Sequence, residues 1–258
     1  MREEFSCETG VVGVGLPLVV SVAASVPGLR DFPAINGTGC TFPSTQGALW
    51  MFLAATDAGE LHDRGRSVRA LLGEGFLLHE EVPTFRYRGG RDLTGYEDGT
   101  ENPKDELAIA AANVRGAGRG LDDGSFVAVQ RYVHDLDTFA RLSAEARDNT
   151  FGRRLHTNEE IAEAPMAAHV KRAAQESFDP PAFMVRRSMP WSGVTEQGLY
   201  FVAYGESLDR FERVLRRMAG LEDGVVDALM SFSKAMSGGY YWCPPVHDGK
   251  LDWSSIGL

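Results

Sequence analysis

The sequence predicts an α+β chain built from two similar halves, and three observations carry that prediction. Short apolar runs with the two-residue alternation of strands are interleaved with segments whose apolar residues recur at helical spacing. The interleaving occurs twice, once on each side of a turn-rich segment from Arg88 to Gly124. In the second half it reads β-α-β-β-α-β, the ferredoxin-like order; in the first half it reads β-β-α-β, the last part of the same order. The expected architecture is therefore two ferredoxin-like halves of the dimeric α+β barrel type, the first lacking its opening strand and helix. The expected division is a shortened N-terminal half at residues 1–120, carrying a Gly-x-x-Asp-Gly loop, and a C-terminal half at residues 121–258.

The elements follow in order. The uncharged run from Gly10 to Gly28 has valines alternating with small residues, which reads as two buried strands near Val11–Val22 broken at Pro17. A strand at Ala48–Ala54 comes next. Leu61, Val68, Leu71 and Leu72 recur at helical spacing with charges between them, which predicts a helix from Ala58 to Leu72. A strand is expected from Phe76 to Arg88. In the second half Ser125 to Val133 alternates as a strand, and a helical stretch from Leu136 to Asn149 is broken near Ser143. Strands at Ala182–Met189 and Leu199–Tyr204 precede a helix from Ser207 to Ala219, which carries Leu208, Phe211, Val214, Leu215 and Met218 on one face. A further helix from Gly224 to Met236 and a last strand from Tyr240 to Cys243 complete the pattern. The long excursion from Phe151 to Pro181 has little periodicity, and such segments commonly carry function.

Composition narrows the function. A net charge of −10 argues against a nucleic-acid partner, which would require clustered lysines and arginines. The Gly10–Gly28 run is no membrane span or signal core, because it holds four glycines and two prolines and follows an acidic segment, Met1 to Glu8. No membrane partner is expected. Gly10, Gly13 and Gly15 do not make a dinucleotide fingerprint, since no helix-opening glycine follows three residues later. Cys7, Cys40 and Cys243 are far apart and odd in number, so neither a metal spacing nor a disulfide framework emerges, and a reducing cytoplasm is the expected compartment.

Three segments carry candidate chemistry. Gly95 to Pro103 sets one carboxylate, Asp98, in a tight turn where Gly99 allows a ligand to lie close to the backbone. The excursion contains Ala167-Ala168-His169-Val170-Lys171-Arg172, in which small residues beside His169 admit a flat, bulky group to an imidazole. In Phe183 to Trp191, strand alternation turns Arg186 and Ser188 to one face and Arg187 to the other. An arginine facing inward from an apolar strand needs an anionic partner or ligand.

Taken in this order, Gly-x-x-Asp-Gly-Thr-x-Asn-Pro, Ala-His-Val-x-Arg and Val-Arg-x-Ser-x-Pro resemble the motifs of the dye-decolorizing peroxidases, specifically their bacterial cytoplasmic branch. Phe126–Arg131, Gly152-Arg153-Arg154 with Asn158–Ile161, Gly198–Phe201 and Ser237–Tyr241 extend the resemblance over about Val11 to Pro244. It implies two ferredoxin-like halves with b-type haem (iron protoporphyrin IX) in the C-terminal one. It implies His169 as proximal iron ligand, Asp98 as distal acid, Arg186 as distal arginine with Ser188 as its neighbour, and Phe201 over the distal haem face. Asp227, ahead of Ala228–Phe232, is the candidate acceptor for the other nitrogen of His169.

The implied activity is that of a haem peroxidase, using hydrogen peroxide to oxidise dyes, phenols or other one-electron donors through a ferryl intermediate. Asp98 would shuttle the peroxide proton, its pKa held down by Arg186, and Arg186 would stabilise charge on the leaving oxygen. Trp191, Tyr240, Tyr241 and Trp242 are candidates to relay electrons to the surface. A haem-handling protein with incidental peroxidase activity and a haem-free ferredoxin-like oligomeric module are the alternatives. The shortened first half would leave a sheet edge exposed, for which a homo-oligomer is the expected cover. The tail Trp253–Leu258 faintly resembles docking tails of nanocompartment cargo, although a disordered terminus is the better reading of so short a segment.

Overall fold

The computed structural model describes residues 10–258; Cys7 and the acidic Met1–Glu8 segment lie outside the described residues. The chain runs β1 (Gly10–Val14), α1 (Leu16–Ser21), β2 (Ile35–Gly37), β3 (Cys40–Phe42), β4 (Leu49–Leu53), α2 (Ala58–Leu72) and α3 (Asp105–Ala112). It continues with β5 (Ser125–His134), α4 (Leu136–Ala140), α5 (Ala144–Phe151), α6 (His169–Arg172), β6 (Val185–Arg186), β7 (Met189–Ser192), β8 (Gln197–Gly205) and α7 (Leu208–Met218). β9 (Ser233–Ala235), β10 (Gly239–Cys243), β11 (Val246–His247) and β12 (Lys250–Leu251) close it. The fold is the expected ferredoxin-like α+β arrangement around a curled antiparallel sheet of order β4-β1-β10-β5-β8-β6, with β7 also on β8 and β9 on β5.

β5 is the spine of this sheet. It pairs with β8 from Phe126↔Gly205 to Val133↔Gly198 and with β10 on its other side. Both of its faces are covered, which explains its continuous apolar character. Phe126, Ala128 and Tyr132 join the cluster that includes Leu208, Phe211, Val214 and Leu215 of α7. Val127 and Val129 pack instead with Trp50, Val202 and Tyr241 on the opposite face. The helical break expected near Ser143 is there: Ser143 caps α5 by accepting from Ala146 N at 3.1 Å.

Several expected elements take another form. After Pro17 the chain is helical, not extended, because a proline in the first turn forfeits no intrahelical bond. No strand forms over Phe76–Arg88; only Thr84 makes a bridge, to Trp191, and Leu77 is 94% exposed. Adjacent rather than alternating apolar residues (Phe76, Leu77, Leu78) offer no face to bury. Without that strand the first half gives β1 and β4 to the main sheet and β2–β3 as a separate hairpin. α2 has the predicted bounds yet buries no residue. The expected strand over Ala182–Met189 is reduced to Val185–Arg186, with β7 starting afresh at Met189. The expected helix over Gly224–Met236 is a single turn, Ala228–Ser231, because pairing of Ser233–Ala235 with His134–Tyr132 takes the rest of the segment into the sheet. The tail is ordered rather than loose: Trp253 and Ile256 are buried, and Trp253 meets Trp242 edge-on at 6.4 Å.

Candidate active site

A cavity open to solvent lies between the inner face of β5 and β8, the apolar face of α7, and the loops before α3 and around α6. Its walls are mostly apolar, including Phe201, Phe211, Met218, Met230 and Phe232. Asp98, Arg186 and His169 all line it.

His169 is placed by a short helix that could not stand alone. Arg172, one turn on and 2% exposed, makes two 2.7 Å bonds to the Asp223 carboxylate and a third to Arg217 O, which fastens α6 to the end of α7. Gly152, with φ +80°, lets the end of α5 close on Val170; a Cβ there would overlap that side chain. His169 Nδ1 lies 2.7 Å from Asp227 Oδ2, and the other Asp227 oxygen accepts from Leu229 N at 2.9 Å. Asp227 is 1% exposed and only accepts when ionised, so in the neutral ring Nδ1 carries the proton and Nε2 keeps a free lone pair. The expected His169–Asp227 pairing is therefore present in the geometry.

The Gly-x-x-Asp-Gly turn is pinned at both ends. Asp92 Oδ1 accepts from Thr94 N at 2.8 Å and Thr94 Oγ1 at 2.5 Å, and Arg91 donates to Gly95 O at 2.7 Å. Further on, the Asn102 amide pairs with the Arg186 backbone in both directions at 2.8 Å, as a neighbouring strand would. That pair carries the turn on to β6, so Asp98 and Arg186 reach one cavity from residues far apart in sequence. Gly99, at φ +73°, lines not this cavity but a second pocket that shares Asp98, His169 and Arg186 with it.

Asp98 is open to the cavity by surface area but deeply surrounded by protein, because the surface it shows faces the cleft. That crowding sets the direction of its pKa shift. Burial pushes the Asp98 carboxyl above its usual range, and the Arg186 guanidinium only partly opposes this. The expected downward pull of Arg186 is present, but desolvation outweighs it and the net shift is upward. Arg186 Nε is buried with no protein partner.

Other expected residues divide. Phe201 lines the cavity. Ser188 does not, and its hydroxyl is buried without a partner. Trp191, Tyr240, Tyr241 and Trp242 are buried in the core, and none lines the cavity. Sequence reading missed Asp92 and His134, a buried pair 3.2 Å apart on the cavity wall. Burial works to raise Asp92, but the bond and charge of His134 and the two bonds from Thr94 hold it below the usual range. Their signal was slight: Asp92 stands in a turn and His134 ends an apolar strand.

Comparison with known proteins follows the same lines. The model of the Dyp-type peroxidase C-terminal region matches residues 89–248. A dye-decolorizing peroxidase of Brevibacterium linens is 30% identical over 249 residues, which cover 94% of this chain and 68% of that protein. One from Mycobacterium tuberculosis is 30% identical, over 84% of this chain and 67% of that protein. Among solved structures, the dye-decolorizing protein from V. cholerae superposes with a TM-score of 0.84 at 33% identity, covering 91% of this chain and 79% of that one. A variant of Rhodococcus jostii RHA1 DypB in complex with heme gives 0.85 at 31% identity, covering 92% and 79%.

Proposed function

Because the chain belongs to the Dyp-type peroxidase family and is a haem peroxidase, we propose that the cavity between β5, β8 and α7 is its haem site and that Asp98, Arg186, His169 and Asp227 run its chemistry. The residues fit such a group. The walls are apolar, one imidazole presents a free Nε2, and Arg186 Nε is a buried donor left without a protein partner. No cysteine lines the cavity among the described residues, which supports haem b held without covalent attachment. The observation that carries the reading is the His169–Asp227 pair opening into an apolar cavity shared with Asp98 and Arg186.

Haem bound there supplies an iron at which hydrogen peroxide reacts and an oxidising capacity that one-electron donors discharge. The chain's residues do the rest. His169 Nε2 would hold the iron, and the Nδ1–H bond to buried Asp227 would make the ring a stronger donor. Asp98, as carboxylate, would take a proton from one peroxide oxygen and return it to the other. Arg186 would stabilise negative charge as the O–O bond opens. Reconstituting the protein with haem and assaying peroxide-dependent oxidation of a phenol or dye tests this; no haem uptake, or no turnover with haem bound, would reject it.

Two expected outcomes follow. Asp227→Asn replaces an acceptor by an amide that can present a donor to Nδ1, so haem affinity or turnover should fall about 10- to 100-fold. Transfer of haem to a competing apoprotein would measure it. The second concerns pH. Only ionised Asp98 accepts a proton, so the rate of reaction with peroxide should rise with pH through its pKa, at a midpoint above the ordinary carboxyl value of about 4. Asp98→Asn should erase this limb in stopped-flow rates, whereas Arg186→Leu, by removing the opposing cation, should move it further up.

The same reading extends to partners. Strand β4 ends the main sheet and α2 buries none of its residues, which supports a homo-oligomer covering this side. Buried Trp253 and Ile256 speak against the tail as a docking segment for a nanocompartment. Among the described residues no helix is long and apolar enough to cross a membrane, and Cys40 and Cys243 are free thiols, in keeping with a reducing cytoplasm.

A further inference from the structure

The cavity wall contains two tyrosines, Tyr96 and Tyr132, in contrasting surroundings. The Tyr132 hydroxyl donates to Gln130 Oε1 at 2.9 Å, and an amide oxygen is too weak a base to take the proton. The Tyr96 hydroxyl donates to Asp148 Oδ1 at 2.6 Å, a short bond to a carboxylate. Asp148 is an ionised acceptor: burial works to raise it, but bonds from Tyr96, Leu155 N and Arg154 outweigh this and hold it below the usual range. Burial and the adjacent Asp148 carboxylate push the Tyr96 phenol well above its ordinary value, so it stays protonated until it is oxidised. The ring is 4% exposed, stacks on Phe151 at 4.0 Å and 12°, and meets Phe139 edge-on. From Asp148 the route to solvent is short, since its second oxygen pairs with Arg154, whose side chain is 54% exposed, at 3.3 Å.

We propose that Tyr96 is a redox-active residue of this enzyme, giving an electron to the oxidised cofactor in the cavity and its phenolic proton to Asp148. The O–H bond of Tyr96 breaks, an O–H bond forms at Asp148 Oδ1, one electron passes to the cofactor, and a neutral phenoxyl radical remains. A one-electron donor at the surface beside Arg154 then returns the electron, and Asp148 returns the proton. An oxidising equivalent thereby leaves the cavity, and a donor too large to enter it is oxidised from outside. Tyr132 is unsuited to this, because its oxidation would leave a proton with nowhere to go.

The inference rests on the cavity being the haem site, and its test separates the two. Holoenzyme made with ring-deuterated tyrosine is mixed with one equivalent of peroxide without donor, freeze-quenched, and examined by optical and electron paramagnetic resonance spectroscopy. An unchanged optical spectrum counts against the haem reading. Where the optical spectrum does change, a radical signal that narrows on deuteration, survives in Tyr132→Phe and is lost in Tyr96→Phe supports Tyr96. Asp148→Asn should lower the radical yield severalfold, and in unmodified protein heavy water should slow the radical's appearance. A signal that persists in Tyr96→Phe, or one formed at the same rate in heavy water and with the same yield in Asp148→Asn, overturns the assignment.

Discussion

Replacing His169 by alanine is expected to abolish haem retention while leaving the polypeptide folded. The imidazole lines the cavity and combines an unshared Nε2 lone pair with a fixed orientation, because Asp227 holds Nδ1 at 2.7 Å. Alanine leaves Asp227 buried without its imidazole partner, though still accepting from Leu229 N. The fold does not depend on that bond: α6 is anchored separately, by Arg172 to Asp223 and Arg217 O, and its neighbour Ala168 is fully buried. The Soret band of haem-reconstituted protein should therefore disappear, with far-ultraviolet circular dichroism unchanged. A variant that kept a full Soret band would remove His169 from the role of ligand.

Replacing Arg186 by leucine should cost about 100- to 1,000-fold in the rate of reaction with peroxide, the loss usual when a donor aimed at developing charge is deleted. The loss should exceed that of Asp98→Ala, for a reason visible in the cavity. A guanidinium is charged at every working pH. Burial favours the neutral form of Asp98, so at acid pH much of the population already lacks the base, and water can move the proton in its place. Arg186 side-chain placement comes from β6, whose backbone pairs with Ala203 of β8 and with the Asn102 amide, so leucine should leave the strand intact. Stopped-flow absorbance on holoenzyme variants measures both rates; a larger loss in Asp98→Ala would reverse the assignment.

Part of this is legible in the sequence. Helical spacing located α2 and α7 to within a residue of their ends, because a one-sided apolar stripe is a local property. Residues 76–88 and 224–236 were misread because their fate is set by neighbours. The first segment finds only one bridging partner, and the second loses Ser233–Ala235 to β5. Asp98, Arg186 and His169 stood out as chemistry in search of a partner. Asn102 was visible as part of a motif, but its work, joining that motif to Arg186 across 84 residues, was not.

The sequence by itself determined where α2, β5 and α7 lie and which residues stand as candidates for chemistry, since periodicity, turn residues and side-chain type act over a few positions. The tertiary structure decided what those residues face. It set Asp227 behind His169 across 58 residues, and it raised rather than lowered Asp98. It also withheld Ser188 from the cavity and gave Tyr96 a base in Asp148. Desolvation and pairing depend on atoms gathered from distant parts of the chain, and only the folded packing brings them together.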